Sequence, residues 1–156
     1  MSHEYTYDIS MFRDTFETRF TYLNGFLRNV SRFGSRPALF DPHSGRRWTY
    51  RELNAEANRL AHALRADGVG KNDVVMFTLL NSPEFVFCYL AAHKIGAVAC
   101  PVNYRQGAGE IALVIDDSTP KAFIYDAEFG ELSGGALDLC ESKPAIKIVV
   151  GADDAV

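Results

Sequence analysis

Basic charge, paired cysteines and long apolar runs are all scarce in this sequence. Of 156 residues, 16 are Lys or Arg and 20 are Asp or Glu, giving a formal net charge of −4. That balance speaks against nucleic acid or an anionic membrane surface as a main partner. The three cysteines, Cys88, Cys100 and Cys140, are odd in number, and their spacings fit no metal or redox motif. Cys88 and Cys100 lie inside apolar runs and read as small buried hydrophobes, so a reducing, cytoplasmic setting fits best. The longest apolar stretch, Phe85 to Ala92, is far short of a membrane span. Residues Met1 to Asp8 have no basic n-region and no apolar h-region, so they do not read as a signal peptide. The four histidines share no ligand spacing with cysteine or acidic clusters, and no metal site is expected. His62 and His93 fall in helical stretches and read as surface or interface residues. A G-x-S-x-G elbow and a defensible Ser–His–Asp order are both missing, so no catalytic residue is assigned.

What is present suits a folded α/β domain. A hydrophobic content of 47% is ample for a core, and 12% aromatic and 23% charged residues are ordinary for a globular protein. Residues 1–19 read as a polar arm. Phe20, Leu23, Leu27, Val30 and Phe33 recur at helical intervals, and the pattern stops near Gly34, with Pro37 just beyond. Phe20, Phe26 and Phe33 are assigned to the core on this pattern. Ala38–Phe40 and Arg47–Thr49 flank turn residues and predict a short hairpin. Thr49-Tyr-Arg-Glu52 is a capping box ahead of a helix that puts Leu53, Ala57, Leu60, Ala61 and Leu64 on one face.

Val74 to Leu80 is a continuous apolar run, which suits a strand buried on both faces. Ser82 caps the next helix, with Pro83 at its first position. That helix runs to about Ile95. Ala97–Val102, Lys121–Tyr125 and Ile146–Val150 read as further strands. A helix over Gly107–Asp117 and a glycine-broken one over 128–141 separate them. Asp116 and Asp117 are expected to face solvent. Alternation of strand and helix at these spacings predicts an open, mostly parallel sheet with flanking helices. Residues 20–150 form the α/β unit, and 151–156 read as a loop.

Two phosphate-loop lookalikes fail on inspection. Gly68-Val-Gly-Lys71 lacks the four-residue spacing of a P-loop and is followed by Asn72 instead of Ser or Thr, so a helix cap and turn is the better reading. Gly107-Ala-Gly-Glu-Ile-Ala112 matches a dinucleotide fingerprint, but Asn103-Tyr-Arg-Gln106 separates it from the preceding strand. Arg105 stands out. It lies just past a buried parallel strand, at the edge where open α/β sheets bind ligands. An arginine there can meet a phosphate through a bidentate, charge-assisted contact. A solvated arginine paired with an acid such as Glu110 is the alternative.

Several motifs then fall in one order: Trp48-Thr-Tyr-Arg-Glu-Leu-Asn54, Ala57-Asn-Arg-Leu-Ala61, Gly68-Val-Gly-Lys-Asn-Asp-Val74, Asn81-Ser-Pro-Glu-Phe85, Lys94-Ile-Gly-Ala-Val-Ala-Cys-Pro101 and Asn103-x-Arg105. With Glu110-Ile111, Asp117-Ser118 and the Lys121–Asp126 strand, they resemble the opening of the adenylate-forming (AMP-binding) enzymes over about residues 20–150. Pro101-Val-Asn-Tyr-Arg105 looks like the acyl- and aryl-CoA synthetase branch, not the peptide-synthetase one. The resemblance implies the larger N-terminal domain of an acyl-CoA synthetase-like fold. It also implies an enzyme that joins a fatty or other carboxylic acid to CoA at the expense of ATP, releasing AMP and pyrophosphate. The cofactors so implied are ATP, Mg2+ and CoA. In some CoA ligases the arginine of this motif approaches the phosphates of CoA's nucleotide, and that role falls on Arg105. A second group of CoA-binding arginines, seen in acetyl-CoA synthetase-like members, has no counterpart in Glu128–Gly135. The family's Ser/Thr/Gly-rich phosphate loop, acyl pocket and catalytic lysine have no counterpart in the sequence. The chain is therefore expected to be an inactive N-terminal portion that could self-associate through exposed apolar sheet surface. A stand-alone interaction or dimerisation module built on the same fold is the competing expectation.

Overall fold

The computed structural model describes residues 8–151; the signal-peptide reading of the first residues and the end of the terminal loop lie largely outside them. Two hydrophobic layers organise the molecule around a four-stranded parallel sheet in the order β4-β3-β5-β6. The strands are β3 (Val74–Thr78), β4 (Val98–Pro101), β5 (Ala122–Asp126) and β6 (Ile146–Val150). A separate antiparallel hairpin joins β1 (Pro37–Phe40) to β2 (Arg47–Thr49). The helices are α1 (Ile9–Phe12), α2 (Tyr22–Phe33), α3 (Tyr50–Ala66), α4 (Pro83–Lys94), α5 (Ala108–Ser118) and α6 (Gly130–Leu139). Among the described residues, no helix is long and apolar enough to cross a membrane.

Local signals set the helix starts. Thr49 Oγ1 accepts from the Glu52 amide at 3.3 Å, and Glu52 Oε2 accepts from the Thr49 amide at 2.8 Å, closing the expected capping box. Ser82 caps α4 by accepting from the Phe85 amide at 3.4 Å, with Pro83 at the first helical position.

Because side chains alternate along a strand, each central strand feeds both layers. Val75 and Phe77 of β3 and Ala122 and Ile124 of β5 face Leu64 of α3 and Ala91 of α4. Met76 and Phe123 face Ile111 and Ile115 of α5 and Ala136 of α6 on the other side. The inner residues of both strands, Val75–Phe77 and Ala122–Ile124, are therefore apolar on both faces, as the Val74–Leu80 run predicts for β3. A third, smaller core forms where α2 and the hairpin pack on α3 and α4 through Phe26, Trp48, Leu53 and Leu90.

Four sequence expectations need correction. Of the three phenylalanines assigned to the core, only Phe26 is buried; Phe20 is 66% and Phe33 36% exposed. The inward face of α2 runs through Leu23, Phe26 and Val30, so the helix is rotated from the face predicted. Asp116 does not simply face solvent, because its Oδ1 accepts from the Ser142 amide at 2.8 Å and ties α5 to the turn before β6. Cys100 is only half-buried, whereas Cys140, for which burial was not anticipated, is enclosed. Finally, the stretch read as an arm is helical over Ile9–Phe12 and continues as π-helix over Arg13–Arg19, with its side chains largely exposed.

Candidate functional site

The strand order places a reversal at the carboxyl edge of the sheet. From β3 the chain moves outward to β4, then crosses back over β3 to β5 and continues to β6. Loops that leave β3 and β5 thus diverge to opposite faces, opening the crevice where such sheets hold ligands. The residues at this edge are Leu79–Ser82 after β3, Val102–Gly107 after β4, and Ala127–Phe129 after β5. Asp126 closes the floor of the crevice, because its Oδ2 accepts from the Leu80 amide at 2.9 Å.

Arg105 sits on this edge, exposed, as the sequence predicts. Its loop is shaped by Asn103, whose Oδ1 accepts from the Arg105 amide at 3.0 Å and whose carbonyl accepts from the Gln106 amide at 3.1 Å. This Asx-type turn fixes the backbone and leaves the guanidinium free. Tyr104 stacks on Phe129 with ring centroids 4.9 Å apart and planes 7° from parallel, joining the loops after β4 and β5. The Arg105 guanidinium carbon lies 5.8 Å from the Tyr104 ring centroid. Glu110, the acid considered as its partner, instead accepts from the Gly107 amide at 2.8 Å through Oε2. Among the described residues no carboxylate lies within ion-pair distance of Arg105. An exposed cation with a fixed backbone and no acid beside it suits a phosphate.

The two phosphate-loop lookalikes are placed elsewhere or already engaged. Gly68–Lys71 precedes β3 and so lies at the amino edge, where Lys121 Nζ donates to the Gly68 carbonyl at 2.6 Å. Gly107 caps α5 some residues after β4 ends, and the Asp126 carboxylate is committed to Leu80. Among the described residues no group of histidine, cysteine and acidic side chains could hold a metal ion. His62 is exposed; His93 packs against Tyr89 with ring centroids 4.6 Å apart. The Tyr104–Phe129 stack and the Asp126 tie were not anticipated. Each joins residues far apart in sequence, and nothing local in the sequence signals such pairs.

An open parallel α/β sheet with a switch point at its carboxyl edge defines the class of scaffold that holds ligands in the crevice there. The chain belongs to the AMP-binding enzyme family, whose profile matches residues 26–156. It is 44% identical over 107 residues to the 3-hydroxybenzoate--CoA/4-hydroxybenzoate--CoA ligase of Thauera aromatica, covering 69% of this chain and 20% of that protein. It is 42% identical over 90 residues to the long-chain-fatty-acid--CoA ligase FadD13 of Mycobacterium tuberculosis, covering 58% of this chain and 18% of that one. The N-terminal domain of FACL13 from M. tuberculosis superposes with a TM-score of 0.74 at 32% identity, over 80% of this chain and 32% of that one. A fatty acyl CoA synthetase from the same organism gives 0.76 at 32% identity, over 85% and 27%. The fold is thus that of the N-terminal domain of acyl-CoA ligases. The chain spans about a fifth of the length of the curated relatives it matches.

Proposed function

We propose that residues 20–150 supply the opening α/β part of an ATP-dependent, AMP-forming acid–CoA ligase, with Arg105 as a contact to a CoA phosphate. The substrate is a carboxylic acid, fatty or aromatic, since relatives of both kinds match at similar identity. ATP and Mg2+ supply the activation of the acid, and CoA accepts the acyl group. The chain by itself forms no adenylate and supplies scaffold, not chemistry. The single observation behind the CoA contact is the placement of Arg105: exposed, with its amide held by Asn103 and with no carboxylate beside it among the described residues. A guanidinium so placed offers charge-assisted donors to a phosphate without first breaking an ion pair. The test is CoA binding by the intact enzyme. Arg105→Ala is expected to weaken CoA by about tenfold, the cost of roughly one charged hydrogen bond, and 3′-dephospho-CoA much less. Unchanged binding of both ligands would leave Arg105 as a solvated loop residue, and equal weakening would move its contact from the 3′-phosphate to the diphosphate that both ligands carry.

The alternative, an interaction module, draws support from β6. Ile146, Ile148 and Val150 pack on the α3–α4 layer, while Lys147 and Val149 on the opposite face are exposed, Val149 by 41%. Self-association through this apolar sheet surface would appear in light scattering as mass rising with concentration and reduced by Val149→Lys. A monomer at all concentrations would count against it.

A further inference from the structure

A cavity of about 510 Å³ opens among α2, the hairpin, α3 and α4. Its walls are Phe26 of α2, Leu39 of β1, Tyr50 and Leu53 of α3, and Val86 and Leu90 of α4. No residue of the parallel sheet or of its carboxyl-edge loops lines it, so it is a different place from the crevice that carries Arg105. Its size and apolar walls suit a small molecule. Gly25 helps to keep it open. Glycine is disfavoured inside a helix, yet here a Cβ built on it would meet nothing within 4 Å. One amide, that of the half-buried Asn29, also lines the cavity and makes no side-chain hydrogen bond to another described residue.

A single charge stands beside these walls. Lys94 follows Leu90 by one helical turn, on the same face of α4. Its Nζ donates to Asn54 Oδ1 at 2.7 Å, next to Leu53 in the chain, and lies 5.8 Å from the Phe26 ring centroid. Lys94 is half-buried, and among the described residues no carboxylate is at ion-pair distance from it. Burial lowers its pKa, and no acid offsets that cost. The acids on the elements that wall the cavity are absent or engaged. Neither α2 nor β1 has one. Glu52 accepts from Thr49, Glu56 pairs with Arg59, and Glu84 stands with Cys88 and Ile124 in another groove. Ahead of α2, Asp14 and Glu17 pair with Arg19 and Arg13.

We propose that this cavity binds an amphipathic monocarboxylate, with its apolar body between α2 and α4 and its carboxylate against Lys94. A neutral apolar molecule would leave the half-buried amine unpaired, and a cation would meet it as a like charge. A carboxylate supplies the missing partner through a charge-assisted hydrogen bond. The proposal needs neither ATP nor CoA nor Arg105, so it stands or falls separately from the ligase reading.

The experiment is calorimetric titration of the purified chain with octanoate and with 2-naphthoate, which distinguish an aliphatic from an aromatic body, and with 1-octanol and octylammonium as controls. At least one carboxylate is expected to bind saturably at one site, with the alcohol about tenfold weaker, the loss of roughly one charged hydrogen bond, and the ammonium weaker still. Lys94→Met should bring the carboxylate down to the affinity of the alcohol, and Lys94→Arg should keep most of the difference. Gly25→Leu puts a good helix former at the wall and should abolish binding of carboxylate and alcohol alike, with the thermal melt showing that the variant is folded. Arg105→Ala should change nothing. The proposal is overturned if neither carboxylate binds, if the alcohol matches the carboxylate, if Lys94→Met or a folded Gly25→Leu variant binds as the parent does, or if Arg105→Ala removes the binding. It is also overturned if light scattering shows that octanoate acts only by dissociating a dimer, since a second copy of the chain would then be the occupant.

Discussion

Asp73 joins two segments at the amino edge of the sheet. Its Oδ2 accepts from the Gly70 amide at 2.7 Å and from Lys121 Nζ at 3.1 Å, linking the turn before β3 to the start of β5. The Gly70 amide, and after it Lys121, hold the carboxyl below the usual aspartate range. A carboxylate whose folded pKa is lowered stabilises the fold above its unfolded value, and that stabilisation is lost as pH falls through the folded value. Asp73→Asn is therefore expected to lower the urea midpoint at pH 7, and the difference from the parent should close as pH falls through the lowered carboxyl pKa. A constant gap across pH would show that the contact acts through packing alone. Cys88 illustrates the opposite environment: burial, then the charges of Glu84 and Asp126, push its thiol up to about 12, so it behaves as the small hydrophobe its apolar neighbours imply. Thr119 carries local strain. It ends α5 at φ 41°, a left-handed conformation that a β-branched residue adopts at a cost of about 1 kcal/mol or more. Thr119→Gly is expected to raise the melting temperature by roughly 2–4 °C, the shift that about 1 kcal/mol produces in a domain of this size. A lowered melting temperature would mean that the hydroxyl or methyl is making contacts that outweigh the strain.

At the scale of elements, burial and capping should be separable by magnitude. Leu64 is fully buried in the α3–α4 layer, so Leu64→Ala removes apolar surface and leaves a cavity, at about 2–5 kcal/mol. Thr49→Ala removes one half of the α3 capping box, at about 1 kcal/mol. Chemical denaturation of the two variants should rank them in that order. A cap variant as damaging as the core variant would mean that α3 is held by its first turn more than by its packing. These two effects also explain what was legible in the sequence. Caps, turn residues and apolar periodicity act over three or four residues, and every strand and helix from α2 onward appears where such signals place it. The rotation of α2 was less legible. Its apolar residues surround much of the helix, and the choice of Phe26 over Phe20 and Phe33 depends on where α3 and the hairpin stand. Helical turns over residues 9–19 were not anticipated, because their aromatics contribute no buried face.

For the molecule as a whole, an open parallel sheet could be read from the alternation of elements, but not the order in which its strands lie. Local pattern marks β4 and β5 alike as buried strands, but β4 lies at the edge of the sheet with Val98 50% exposed, because the chain crosses back over β3 to place β5 inside. That crossing creates the switch point, brings Phe129 onto Tyr104 and sets Asp126 beside Leu80. Arg105 could be singled out because it follows a strand; its stacked neighbour and the floor of the crevice could not. The same geometry bears on what the chain can do alone. Its ligand-facing edge offers one exposed arginine and a closed floor. Acyl adenylation, by contrast, requires several preorganised donors around developing phosphate charge, and removing even one such donor costs about a hundredfold or more in rate. With the chain spanning about a fifth of its curated relatives, those donors are expected to come from elsewhere in a full-length ligase. ATP–pyrophosphate exchange with a panel of fatty and aromatic acids should therefore stay at the blank rate for this chain. Acid-dependent exchange above the blank, abolished by denaturing the protein, would mean that residues 20–150 already hold a working phosphate site, and the division between scaffold and chemistry would have to be redrawn.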